Sequence, residues 1–243
     1  MRVYAIGDIH GHLDKLRHVH DLIAADGGRD AQIVHLGDLI DRGPASRGVI
    51  EFLMQGQADG RDWIVLKGNH DGQLPRFLED PRWIDPMTAQ KLPWTARDNS
   101  GAEATLASYG VPGALSRDLD EVHAEAVANV PHDHARWIDG LPAWHLTPLA
   151  LFVHGGIRPG VDLCAQTEDD MLWLRRPFLD DTRDHGVLVV HGHSPVQRIE
   201  HKPNRLDIDT NAGGGGPLSV VRIDDDGVWI LTEDGPVKSE PAP

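Results

Sequence analysis

Short apolar strands, each running into a glycine-bounded polar motif, with amphipathic helices between them, predict an α/β fold built on parallel β-α-β units. Residues 3–6 lead into Gly7-Asp8, residues 33–36 into Gly37-Asp38, and residues 63–66 through Lys67 into Gly68-Asn69-His70. These motifs stand at the carboxyl ends of the expected strands, where open α/β sheets bind their ligands.

The elements follow in order. Residues 13–25 place Leu16, Val19, His20 and Ile23 on one helical face, and residues 46–54 predict a second helix. From about residue 75 to 142 the rhythm changes to helix formers, proline breaks and the scattered Trp83, Trp94 and Trp137. A helical insertion that packs over the sheet and shapes the cleft is expected there, its tryptophans serving first as core anchors. Strands return at residues 149–153, before His154-Gly155-Gly156, and at 187–190, before His191-Gly192-His193. Residues 206–208 and 218–223 follow, and 228–231 pairs with the latter across the turn Asp225-Asp226-Gly227. Gly213 to Gly216 lack the Lys-Ser/Thr and helix start of a phosphate loop, and read as a mobile turn. One domain over residues 1–234 is expected, with a flexible, Pro-rich tail at 235–243.

Hydrophobic residues make up 40% of the 243 and charged ones 25%, as in ordinary globular proteins. A formal net charge of −15 argues against nucleic-acid partners. It repels small phosphate esters too, unless bound cations or arginines invert the field locally. The single cysteine, Cys164, excludes an intramolecular disulfide and fits a reducing compartment. Asp170 stands where a cysteine-dependent phosphatase needs arginine. No apolar run approaches the roughly 20 residues that cross a bilayer, and no leader is read before the strand at Arg2. A cytoplasmic protein without membrane contact is expected. Nothing in the sequence indicates an oligomeric state.

Five strand ends carry metal-competent side chains beside glycines: Asp8 with His10, then Asp38, Asn69, His154 and His193. Two divalent ions about 3.5–4 Å apart can acidify a water and clamp phosphoryl oxygens. Holding them so close requires a carboxylate bridge, and oxygen and imidazole donors suit Mn, Fe or Zn. Nine further histidines, among them His20, His35, His134 and His185, read as surface or packing residues. His191, two before His193, is the closest of the remainder to ligand spacing.

Five marks occur in order along the chain: GDxHG at 7–11, GDxxDRG at 37–43, GNH(E/D) at 68–71, HGG at 154–156 and GH(T/S)P at 192–195. In these the sequence resembles the calcineurin-like metallophosphoesterases, and within them the bacterial and phage phosphoprotein phosphatase branch. The resemblance spans about residues 3 to 223, least in the helical middle. It implies a four-layer α/β/β/α sandwich with a helical insertion. Asp8 and His10 are implied to hold the first ion, Asp38 to bridge both, and Asn69, His154 and His193 to complete the second. Two divalent ions, Mn²⁺ before Fe or Zn, are implied as cofactors. His70 is implied as the general acid, oriented by Asp41. Arg42 is implied to grip phosphoryl oxygens with its planar fork, and Arg175 of Trp173-Leu174-Arg175 to be the second clamp, with Arg176 in reserve.

Three positions depart from the family pattern. Pro195 replaces the second histidine of broader calcineurin-like enzymes, leaving the first ion fewer protein ligands. Asp71 stands where protein phosphatases carry Glu, as it often does in dinucleoside-tetraphosphate hydrolases. Asn211 replaces a glycine in Asp209-Thr210-Asn211-Ala212, which puts the local turn in doubt. The expected activity is hydrolysis of phosphomonoesters by direct attack of a metal-bridging hydroxide, with a serine/threonine phosphoprotein or a small phosphoester as substrate. The alternative is a symmetrical diadenosine-tetraphosphate hydrolase, with insertion tryptophans stacking on adenine. A non-catalytic binding protein on the same fold is a third reading, disfavoured by the intact His70, Asp41 and Arg42.

Overall fold

In the computed structural model, which describes residues 1–242, successive side chains of one strand feed different cores, as the two-residue period of a strand requires. Along β1 (Arg2–Ile6), Tyr4 and Ile6 enter one core while Val3 and Ala5 enter another. The chain continues through α1 (Leu13–Gly27), β2 (Ile33–His35), α2 (Ser46–Ala58) and β3 (Trp63–Val65). β1, β2 and β3 pair in parallel, with the two helices as crossovers.

The expected insertion is helical: α3 (Gln73–Glu79), α4 (Ala102–Ser108), α5 (Leu119–Asn129) and α6 (His132–Asp139). Its Leu106, Tyr109, Val122, Ala126 and Ile138 join Leu16, Val19 and Ile23 of α1 and Val49, Ile50 and Leu53 of α2 in the first core. These side chains cover the outer face of the first sheet.

A second sheet follows, from β4 (Trp144–Leu146) and β5 (Ala150–Val153), then α7 (Glu168–Trp173), β6 (Leu188–His191), β7 (Glu200–His201) and β8 (Arg205–Asp207). Its strand order is β4-β5-β6-β8-β7. Ala150, Phe152, Val190 and Leu206 meet Val3, Ala5, Val34 and Leu36 between the sheets. On the far face, Leu151, Val153 and Val189 pack on Met171, Leu172 and Phe178. Helices, sheet, sheet and a thinner helical layer make the four-layer sandwich. The chain then returns to the first sheet as β9 (Val220–Asp224), β10 (Gly227–Thr232) and β11 (Gly235–Ser239), giving the order β11-β10-β9-β1-β2-β3. The β9–β10 hairpin turns at Asp225-Asp226, with Gly227 opposite Asp224.

Two expectations are corrected. The segment from Gly235, expected to be a flexible tail, pairs antiparallel with β10 from Gly235 to Ser239. Pro236 can serve there because β11 is the outermost strand, where a missing N–H is tolerated. The glycine run is no free turn either. Lys15 Nζ donates to Ala212 O (3.0 Å) and Gly216 O (2.7 Å), and a Cβ on Gly213 would lie 2.7 Å from both Arg42 Cδ and His10 Cδ2. Gly213 packs against the strand-end motifs and Lys15 ties the two ends of the run, while Gly214 and Gly215 face solvent. Among the described residues no helix is long and apolar enough to cross a membrane.

Asn211 keeps the turn that its missing glycine put in doubt. Its φ is 62°, in the left-handed region that asparagine tolerates better than other side-chain-bearing residues. Asn211→Ala should therefore lower unfolding stability by about 1 kcal/mol, with Asn211→Gly near neutral. Urea denaturation of the three proteins checks this, and equal midpoints for Ala and Asn would remove the argument.

Candidate active site

The loops after β1, β2, β3, β5 and β6 bring the predicted residues to one cleft of about 240 Å³. Asp8, His10, Asp38, Asn69, His70, Arg42, Arg175 and His193 line it, and His154 lies wholly buried against them. Five of the polar residues sit at positive φ: His10 (46°), Asp38 (49°), Asp41 (74°), Arg42 (68°) and His193 (64°). Each such conformation costs on the order of 1–3 kcal/mol. The fold maintains that strain to aim these side chains. Gly192 is required for another reason, since a Cβ there would stand 2.0 Å from Asp8 Oδ1.

Asp38 lies between two imidazoles. Its Oδ2 is 3.3 Å from His10 Nε2 and its Oδ1 3.3 Å from His154 Nε2. Both rings are oriented from behind, His10 Nδ1–H donating to Ile40 O and His154 Nδ1–H to Leu36 O, each at 2.9 Å. That tautomer leaves each Nε2 with a lone pair facing acceptors, because His154 Nε2 also meets Asn69 Oδ1 at 2.9 Å. His193 Nε2 is buried with no hydrogen-bond partner. Lone pairs converging without a proton between them are what a cation satisfies.

Electrostatics agree with this reading of the donor set. Burial, then the charges of Asp209 and Asp38, push the Asp8 carboxyl well above its usual range. Burial takes His10 down to about 3 and lowers His154 and His193 as well, so the imidazoles are neutral. Ligand atoms of Asp8, Asp38 and His154 lie within 4.8 Å of one another, as do those of His10, Asp38 and His70. Crowded carboxylates and neutral imidazoles fit two divalent ions of the Mn, Fe or Zn type.

Beside this set, His70 Nδ1–H donates to Asp41 Oδ2 at 2.7 Å, and Arg42 reaches His70 Nε2 at 3.3 Å. Burial opposes the charge on His70, but Asp38 and Asp41 outweigh it and raise its pKa. The insertion fixes Asp41 in turn. Trp94 Nε1 donates to Asp41 Oδ2 (3.1 Å), and Thr105 Oγ1 donates to Asp41 Oδ1 (2.8 Å). Arg175 donates to His193 O at 2.8 Å inside the cleft, while Arg176 pairs with Asp180 at the surface.

Several features were not foreseen from sequence. Asp209, at the end of β8, is a further acidic residue in the cleft, and its strand-end position was the available signal. Trp94 and Thr105 have no sequence signal, being brought in by packing. The aromatic residue lining the cleft is Trp173; Trp94 is buried under Asp41, Trp137 donates to Gln57, and Trp83 lies outside the lining. Adenine stacking by the insertion tryptophans is therefore not what this geometry offers. Asp71 does not face the cleft either. It is fully buried and accepts from Leu39 N and Gly68 N, both at 2.7 Å, and from Ile40 N at 3.4 Å.

Residues 1–211 match the model of the calcineurin-like phosphoesterase family. The chain is a calcineurin-like phosphoesterase. As such it is a metal-dependent hydrolase of phosphoric esters. Among relatives of this phosphoesterase, the symmetrical bis(5'-nucleosyl)-tetraphosphatase of Nitrosospira multiformis is 35% identical over 93% of this chain and 94% of that one. The asymmetrical bis(5'-nucleosyl)-tetraphosphatase of Halalkalibacterium halodurans is 26% identical over 92% and 90%. In fold, this calcineurin-like phosphoesterase is similar to a cold-active protein-tyrosine phosphatase of a Shewanella species. That match has a TM-score of 0.60 and 17% identity over 94% of this chain and 77% of that one.

Proposed function

We propose that this phosphoesterase hydrolyses dinucleoside tetraphosphates, adding water across the central P–O–P bridge to release two nucleoside diphosphates. The observation that carries this is the 35% identity, over nearly the full length of both chains, with a symmetrical bis(5'-nucleosyl)-tetraphosphatase. The phosphoprotein phosphatase reading expected from the motifs gives way to its alternative. Asp41, Arg42 and His70 serve phosphoryl transfer in general, so they do not separate the two substrates. The insertion tryptophans lend the alternative no support, since they lie outside the cleft lining; Asp71 supports it only as a family mark, its side chain being buried.

In this proposal Asp8, His10 and Asp38 would hold one ion, and Asp38, Asn69, His154 and His193 the other. When bound, the ions neutralise phosphoryl oxygens and lower the pKa of water. Manganese is the first choice, with Fe or Zn compatible with the same donors, in a cytoplasmic setting. Arg42 and Arg175 bind the non-bridging oxygens of the phosphoryl group under attack. His70 delivers a proton from Nε2 to the leaving oxygen while Asp41 holds its ring through Nδ1.

One metal-loaded preparation, compared on diadenosine tetraphosphate and a phosphoserine peptide by kcat/KM, tests the reading. Diadenosine tetraphosphate should be preferred, with ADP as the sole nucleotide product. AMP and ATP together would move the cut to an outer bridge, and preference for the peptide would overturn the proposal.

A further inference from the structure

The insertion sets a cation into the cleft wall that the chemistry of a single phosphoryl group does not require. Arg97 lines the cleft and is half-buried, its guanidinium donating to Gln73 Oε1 at 2.6 Å. Gln73 in turn donates to Asp85 Oδ2 at 2.7 Å and to Asn69 O at 3.4 Å. Arg97 is thus held two hydrogen bonds from the backbone of a proposed metal ligand. Its Nε is buried with no partner, and among the described residues no carboxylate ion-pairs with it.

The two carboxylates that support the Arg97 charge through space, Asp85 and Asp41, are hydrogen-bonded elsewhere. Asp85 accepts from Gln73 and from Met87 N (2.8 Å), and Asp41 accepts from His70, Trp94 and Thr105. Asp98 lines the same wall. Burial works against the Arg97 charge more strongly than Asp85 and Asp41 support it through space. A half-desolvated guanidinium without a counter-ion is costly unless an anion arrives to meet it. The chain as a whole carries a net charge of −15, so an anionic ligand depends on such local cations.

Arg42 and Arg175 already serve the phosphoryl group under attack. We infer that Arg97 binds the phosphate adjoining that group, making the insertion the element that selects polyphosphate chains over phosphomonoesters. The inference rests on the phosphoesterase site proposed above. Gln90, Asn99 and Ser100 of the same wall supply neutral hydrogen-bonding groups beside it. A planar fork matches a phosphate better than an ammonium, so lysine should replace Arg97 only in part.

The test uses Mn²⁺-loaded enzyme hydrolysing para-nitrophenyl phosphate at fixed free metal, with ADP and AMP as competing ligands. Wild type should bind ADP about tenfold more tightly than AMP, the worth of a charge-assisted contact to one further phosphate. Arg97→Gln should bring that ratio close to one, with Arg97→Lys between. A ratio cancels losses of folding or metal common to both ligands. The wild-type ratio alone decides if the variant does not fold, because no preference for ADP overturns the inference. So does a preference that Arg97→Gln leaves intact. An enzyme that prefers ADP through Arg97 yet leaves diadenosine tetraphosphate uncut would refute the proposed function and keep the subsite. Cleavage with a ratio unmoved by Arg97→Gln would do the reverse.

Discussion

His70→Ala is expected to cut turnover of substrates with poor leaving groups by about 10²–10⁴-fold, the usual worth of a positioned general acid. Substrates whose leaving group departs without a proton should lose far less. Bound metal should stay at the wild-type level, because the His70 ring is tied to Asp41 and Arg42 and only its backbone N–H reaches Asp38, at 3.0 Å. A series of aryl and alkyl phosphates, with metal content measured on each protein, separates these effects. Loss of metal would place His70 among the ligands instead, as its proximity to His10 and Asp38 allows. Trp94→Phe removes one hydrogen bond from Asp41 and should show the same leaving-group dependence at about tenfold.

Asp71→Ala should be the most destabilising single change near the site, by about 3–5 kcal/mol, since it orphans buried amides of two loops at once. The carboxylate joins the turn after β2, through Leu39 and Ile40, to the turn after β3, through Gly68. Asp71→Glu adds a methylene at a fully buried position and should cost about 1–3 kcal/mol. The kcat/KM ratio between diadenosine tetraphosphate and para-nitrophenyl phosphate should nevertheless stay put in the Glu variant. Chemical denaturation and that ratio check the two halves independently. A shifted ratio would show that the residue communicates with the substrate despite its burial.

The parts legible in the sequence were those encoded locally. Asp8, Asp38, Asn69, His154 and His193 each follow an apolar strand within a few residues, so spacing alone put them at sheet ends. What escaped depends on packing between distant segments. Trp94 and Thr105 reach Asp41 across 53 and 64 residues, and no local periodicity records such contacts. β4, β7 and β11 are sheet-edge strands whose side chains are mostly exposed, so their composition reads as loop. Asp71 was legible only as a mark of family membership; that its side chain turns inward to join two loops depends on packing.

The hold of Trp94 and Thr105 on Asp41 bears on how such enzymes can be recombined. An insertion swapped in from a relative to change specificity would also withdraw the indole and the hydroxyl that steady the His70 partner. A chimaera of this kind should bind its new substrate before it turns it over. Restoring its rate then means grafting those two donors as well as the new binding wall.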